Sequence, residues 1–263
     1  MRILSLGICC GLLGMAVVAA AAATEVHFVA PVIPPHFDES GAGRIGDVIK
    51  ATLASCGHGA RFTMVPFGRH WKEYESSATF AALATAEADQ AFAGFSTRPF
   101  MLLQDGATVL AGRGYSRITT IAGLHGADIV AFPNARNILG IERHVAGFAS
   151  YVERSNRFDQ IRPLFARRVD AILADGLITA HFIDVVRANA AAGKEPGIDA
   201  TQPVQFRRIF AAGPQRLYFR DAALARDFDR CFQALRERGE VARIARPFVD
   251  RYRAIVGDQY PDY

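Results

Sequence analysis

"RRVDAILADG" (Arg167–Gly176) is the stretch on which the reading of the fold turns. Asp170 and Asp175 bracket an apolar run, Ala171 to Ala174. The run is too short for a helix face. It suits a strand buried on both sides, as in a parallel sheet covered by helices. Asp170 then enters the strand, and Asp175 leaves it at the carboxyl end, where open α/β sheets bind ligands. A second stretch, "EADQAFAGFST" (Glu87–Thr97), has a similar order: Asp89, an apolar run to Ala93, and a break at Gly94. Two copies roughly 80 residues apart predict two similar units whose strands end at one shared cleft.

The first 23 residues read as a secretory signal rather than as part of the fold. Met1 and Arg2 give a basic start, Ile3 to Val18 is apolar, and Ala19 to Ala23 supplies small residues for cleavage before Thr24. A membrane anchor would be followed by a basic stop-transfer cluster, and none follows. Cys9 and Cys10 lie too early in the apolar stretch for lipidation. Removal leaves 240 residues, enough for one large domain or two lobes of about 100 residues each. The mature charge is +3, from 29 Lys plus Arg against 26 Asp plus Glu. The surface is therefore mixed, and without a basic run no nucleic-acid partner is expected.

From Glu25 onward, apolar strands alternate with amphipathic helices, the order of a parallel α/β sheet. "EVHFVA" and "RFTMVP" read as strands around the helix "RIGDVIKATLASCG". Helix is expected from about Trp71 to Ala88, then a strand from Asp89. After the irregular "GFSTRPFMLLQDG" the pattern restarts, and two helices close the chain, Ala222 to Arg238 and Val241 to Arg251. Cys56 and Cys231 each lie on an apolar helical stripe. They read either as a disulfide of an exported protein or as two buried thiols. The histidines show no metal-ligand spacing, and H-E-x-x-H, G-x-S-x-G and phosphate-loop motifs are missing from the sequence. No metal or cofactor is expected.

The segment order resembles the family 3 extracellular solute-binding proteins of ABC importers. "PPHFDESGAGRIGDVIKATLASCG" is similar to the family's opening loop and first helix, and "MVPFGR" to its second strand and turn. "ADQAFAGFSTR" is similar to the strand leading into a threonine/arginine motif, and "ITTIAGLHGADIVAFPNAR" to the entry into the second lobe. "RRVDAILADG" is similar to the strand whose acid meets a ligand's amino group. "DAALARDFDRCFQALRERGEVARIARPFV" is similar to the closing helices, so the resemblance covers nearly all of 24–255.

The resemblance implies a two-lobed type II periplasmic binding protein fold. Each lobe would be a mainly parallel sheet flanked by helices, and two crossing strands would join them. Lobe one would take 24–103 and 213–263, and lobe two 104–212. The closing helices would return to lobe one and bring Cys231 to Cys56, making the disulfide. A small polar solute, an amino acid or similar, would be trapped between the lobes and passed to a membrane permease by a periplasmic monomer.

A buried ligand charge needs a partner. Asp175 is the expected partner of a ligand cation, facing Arg98 or, failing that, Arg69 across the gap. Arg98 would take a carboxylate with Ser96 and Thr97 as hydroxyl donors. Thr97 and Arg98 are adjacent here, whereas the family separates them. Phe37 and Phe67 are expected to stack on the ligand. Asn134, in "FPNAR", is expected at an anion-holding turn. Asp170 and Asp89 read as structural. Two alternatives stay open: an enzyme on this fold resembling cyclohexadienyl dehydratase, with Asp175 or His36 as acid or base, and a soluble ligand sensor.

Overall fold

The protein is described here from a computed structural model covering residues 24–87 and 90–263. Residues 1–23, where a signal was expected, and Asp89 lie outside the described residues. Two sheets organise the chain, with strands and helices numbered in chain order. The first contains β1 (Glu25–Pro31), β2 (Gly59–Val65), β3 (Ala82–Glu87) and β11 (Gly213–Phe219), ordered β2-β1-β3-β11. The short strands β4 (Phe95–Ser96) and β5 (Met101–Leu103) add to β11. The second contains β6 (Asp105–Leu110), β7 (Asp128–Ala131), β8 (Ser150–Glu153), β9 (Ala171–Asp175) and β10 (Val204–Arg207), ordered β8-β7-β9-β6-β10.

The two orders are the same. In each sheet three parallel strands are followed by a strand that runs against them and arrives from the other lobe. β3 and β9 hold the same place in their sheets. β9 is the buried strand expected over Ala171–Ala174 and is buried along its whole length. The helices α1 (Arg44–Ser55), α2 (Arg69–Ser76), α3 (Ala135–Ile138), α4 (Glu142–Val145) and α5 (Phe158–Phe165) lie in the crossovers that parallel pairing requires, and α6 (Gly176–Ala191) follows β9.

The counterpart of β9 is not where the echo placed it. Helix α2 stops at Ser76, and the strand runs over "ALATAE" rather than from Asp89. Alanine favours helix, so the segment reads as one. Between β1 and β11, however, all but its last residue is buried, and tertiary burial decides.

Two direct connections cross between the sheets, Leu103 to Asp105 and Arg207 to Gly213. The assignment of 213–263 to the first lobe alone needs correction at its end. Val241 and Ala245 of α8 (Glu240–Arg251) join the first core. Val249, Tyr252, Ile255, Val256 and Tyr260 join the second. The apolar stripe continues past α8 into α9 (Arg253–Val256), which packs on β10 and α6. The tail therefore ties both lobes together.

Cys56, just past α1, and Cys231, on α7 (Ala222–Glu237), form a disulfide with a Cα–Cα separation of 6.0 Å. The two helices pack face to face on the first sheet, so the bridge lies within one lobe. Among the described residues no helix is long and apolar enough to cross a membrane.

Candidate functional site

The carboxyl ends of all six parallel strands converge on one pocket between the lobes. Ile33 follows β1, Phe67 follows β2, and Glu87 ends β3; Phe132 follows β7, Arg157 comes after β8, and Asp175 ends β9. Leu103 and Asp105, either side of the first crossing, close the floor with Ile138 and Ile178. This is where open α/β sheets place ligands, here supplied twice over. Phe67 and Phe132 meet edge to face across the gap, with ring centroids 6.2 Å apart. The cleft continues outward past Pro66 and Pro133 to Ser155, with Arg157 at the neck.

Asp175 lies on this wall, but both its oxygens are turned into the protein. Oδ1 accepts the N–H groups of Leu177 and Ile178 at 2.9 and 3.0 Å, capping α6. The same oxygen lies 3.2 Å from Nε2 of His36. Oδ2 accepts from the Tyr260 hydroxyl at 2.6 Å and from the Gln104 N–H at 3.0 Å. Burial alone would raise the Asp175 carboxyl; His36 and the hydrogen bonds outweigh burial and hold it below the usual range. Burial lowers His36 despite the carboxylate beside it, and its Nε2 faces the Asp175 Oδ1. Behind this cluster the fully buried Arg44 donates to the carbonyls of Leu102 and Pro261 and lies over the Tyr260 ring. Gln104 donates to the carbonyl of Phe210 in the second crossing. Asp175 is thus a knot between the lobes, joining both of them, a crossing and the tail.

Asp105 is the acid that sequence reading missed. It stands directly opposite Asp175 in the β6–β9 register. Like charges facing each other on paired strands repel. Among the described residues no hydrogen bond or ion pair reaches its carboxylate. Burial, then Asp175 and Glu87, push its carboxyl well above the usual range, with Arg157 opposing. Arg157 is also under-used. Its side-chain hydrogen bond among the described residues goes to Gln160, at 3.2 Å. Burial lowers its guanidinium, while Asp105 and Asp175 support the charge. No motif marks either residue. Asp105 sits in "QDG", which reads as a break, and only the strand register reveals its neighbour.

The other expected residues do not gather here. Phe37 is fully buried in the first core, packed on Phe62. Arg69 is exposed and pairs with Glu73 at 2.9 Å. Ser96 is exposed on the short strand β4. Thr97 is buried, and its hydroxyl accepts from the Leu217 N–H. Arg98 is exposed, its backbone N–H held by Asp229 of α7, so Arg98 does not face Asp175. Asn134 is exposed in a left-handed turn, and its N–H donates to Glu153, which leaves that turn acidic. Of the eight residues expected at the ligand, the pocket wall contains Phe67 and Asp175. Asp170 ties the entry of β9 to that of β7, accepting the Asp128 N–H at 3.0 Å. Among the described residues no cluster of His, Cys, Asp and Glu could hold a metal ion.

No family model and no curated protein sequence matches the chain. Solved structures do. A histidine kinase sensor domain with similarity to periplasmic binding proteins matches with a TM-score of 0.67 and 15% identity, over 86% of this chain and 96% of its own. An arginine transport-system periplasmic binding protein from Legionella pneumophila matches with a TM-score of 0.64 and 13% identity, over 88% of this chain and 100% of its own. An ancestral amino-acid-binding protein, a precursor of cyclohexadienyl dehydratase, matches with a TM-score of 0.63 and 11% identity, over 87% and 95%. The molecule has the two-lobed α/β fold of periplasmic binding proteins, as the resemblance implied.

Proposed function

We propose that the protein is a periplasmic solute-binding protein, working as a monomer, that closes on a small polar solute and delivers it to the permease of an ABC importer. The observation that carries this reading is the convergence of six strand ends on a pocket holding an unpaired acid, Asp105, and an under-used base, Arg157. An unpaired charge in a closing cleft is costly unless a ligand completes it. A solute would bridge Asp105, on the crossing, and Arg157, in the second lobe, with Phe67 of the first lobe against its body. Its contacts with both lobes would favour the closed form over the open one. The neighbours named as amino-acid or arginine receptors make an amino acid or similar solute the first class to try.

A thermal-shift screen with amino acids, polyamines and organic acids tests this. A solute at about 100 times its Kd should add about 2.7 kcal/mol of stability and raise the melting temperature. The mature N-terminus should be Thr24 in protein recovered from the periplasm.

One observation favours a second reading. A carboxyl whose burial among apolar walls raises its hold on a proton is also how a general acid is made. An enzyme of dehydratase type would therefore use Asp105, since His36 is fully buried behind Asp175. Turnover of a prephenate-like acid, abolished in Asp105→Asn, would replace the receptor reading.

A further inference from the structure

The cleft's own chemistry narrows the solute class, an inference that rests on the solute-binding reading. Three carboxyl groups line the pocket, those of Glu87, Asp105 and Asp175, against the single guanidinium of Arg157. The Asp175 oxygens are fully engaged by His36, Tyr260 and backbone N–H groups. Asp105 is the acceptor left open, held against Asp175 across the strand pair. The remaining walls are Ile33, Leu103, Ile138 and Ile178 with the rings of Phe67 and Phe132. A polar side chain pressed on these walls would leave its donors unpaired, at a desolvation cost for each. An anion without a cation would meet an excess of acids.

We infer that the ligand is an amine with an apolar or aromatic body, its ammonium on Asp105 and its body against the Phe67 and Phe132 rings. A carboxylate on the same molecule has Arg157 available at the neck, but binding does not depend on it. The acid nearest the ammonium is then Asp105 on the crossing, not Asp175 at the end of β9. The aromatic faces assist, since a ring attracts a cation.

Four matched probes test this by thermal shift and titration calorimetry: phenethylamine, L-phenylalanine, 3-phenylpropionate and L-arginine. Phenethylamine and L-phenylalanine should bind. 3-Phenylpropionate should give no heat where phenethylamine saturates, and L-arginine should bind at least tenfold more weakly than L-phenylalanine. Asp105→Asn should lose roughly 30-fold or more in affinity for phenethylamine, the usual cost of truncating one side of a buried charge pair, with the melting temperature of the free protein not lowered. The probe panel stands even without that variant. Unchanged phenethylamine binding in Asp105→Asn, tight binding of 3-phenylpropionate, or L-arginine as the tightest probe would each overturn the inference and leave solute binding intact. No response to any probe, or to the wider screen, would overturn both.

Discussion

Asp105 and Asp175 face each other across one strand pair and carry opposite loads. Asp175 satisfies a helix cap, a histidine and a tyrosine at once. Asp175→Ala leaves those donors buried without a partner and should cost about 3–5 kcal/mol. For a chain this long that is a fall of roughly 10 °C in melting temperature, readable by calorimetry. Asp105→Asn removes a repulsion instead and should leave the melting temperature unchanged or higher. His70 sets an acid limit. It is fully buried, and burial lowers its imidazole to about 3, with a hydrogen bond to the Thr85 carbonyl opposing. The unfolded chain takes up a proton near the ordinary value of about 6.5 while the folded chain does not. Stability therefore falls as pH drops from about 6.5 towards 3, and at pH 5 His70 alone costs about 2 kcal/mol. In urea titrations at pH 7.5 and 5.0, His70→Gln should shrink the difference between the two by about that amount; an unchanged difference would show that His70 titrates normally. Sequence reading found Asp175 because a lone acid after an apolar run is a visible pattern. It missed Asp105 and gave Asp175 the wrong surroundings, because His36 and Tyr260 reach it from remote positions in the chain.

At the scale of elements, what was legible was whatever has a local period. β9, α1 and α7 follow apolar runs or stripes of their own. β3 was not legible, since "ALATAE" prefers helix and becomes a strand only when β1 and β11 enclose it. The expected echo was sound as topology and misplaced as sequence: Glu87, at the end of β3, stands where Asp175 stands in the other sheet. The disulfide makes an element-scale prediction. It spans 175 residues of chain but joins α1 to α7 inside one lobe. The chain-entropy model gives it about 5 kcal/mol, with measured cases often lower. Replacing Cys56 and Cys231 with Ser should thus lower the melting temperature by several degrees while leaving solute affinity within about twofold, because the bridge does not cross between the lobes. A large loss of affinity would mean that the bridge shapes the cleft.

For the whole molecule, the proposed closure uses two sheets, the crossings between them and a mouth. Asp175, Gln104, Arg44 and Tyr260 tie the lobes together at the crossings, so the proposed closure would open at the opposite side, between Pro66 and Pro133. Tyr260→Phe removes a 2.6 Å bond to a buried carboxylate and should loosen this tie by about 1.5–3 kcal/mol in stability. The fold was legible from the order of its segments, whereas the tail's passage to the second lobe was not, because the stripe of α8 does not announce which core it covers. The account's central claim is that a small solute is held where the six strand ends meet. A crystal structure of the protein with the best solute from the screen tests it most directly. Solute density is expected against Phe67 and Phe132, within hydrogen-bonding reach of Asp105, with Asp175 still capping α6. Solute density on an outer face of either lobe, or a cleft that stays empty at saturating solute, would contradict it.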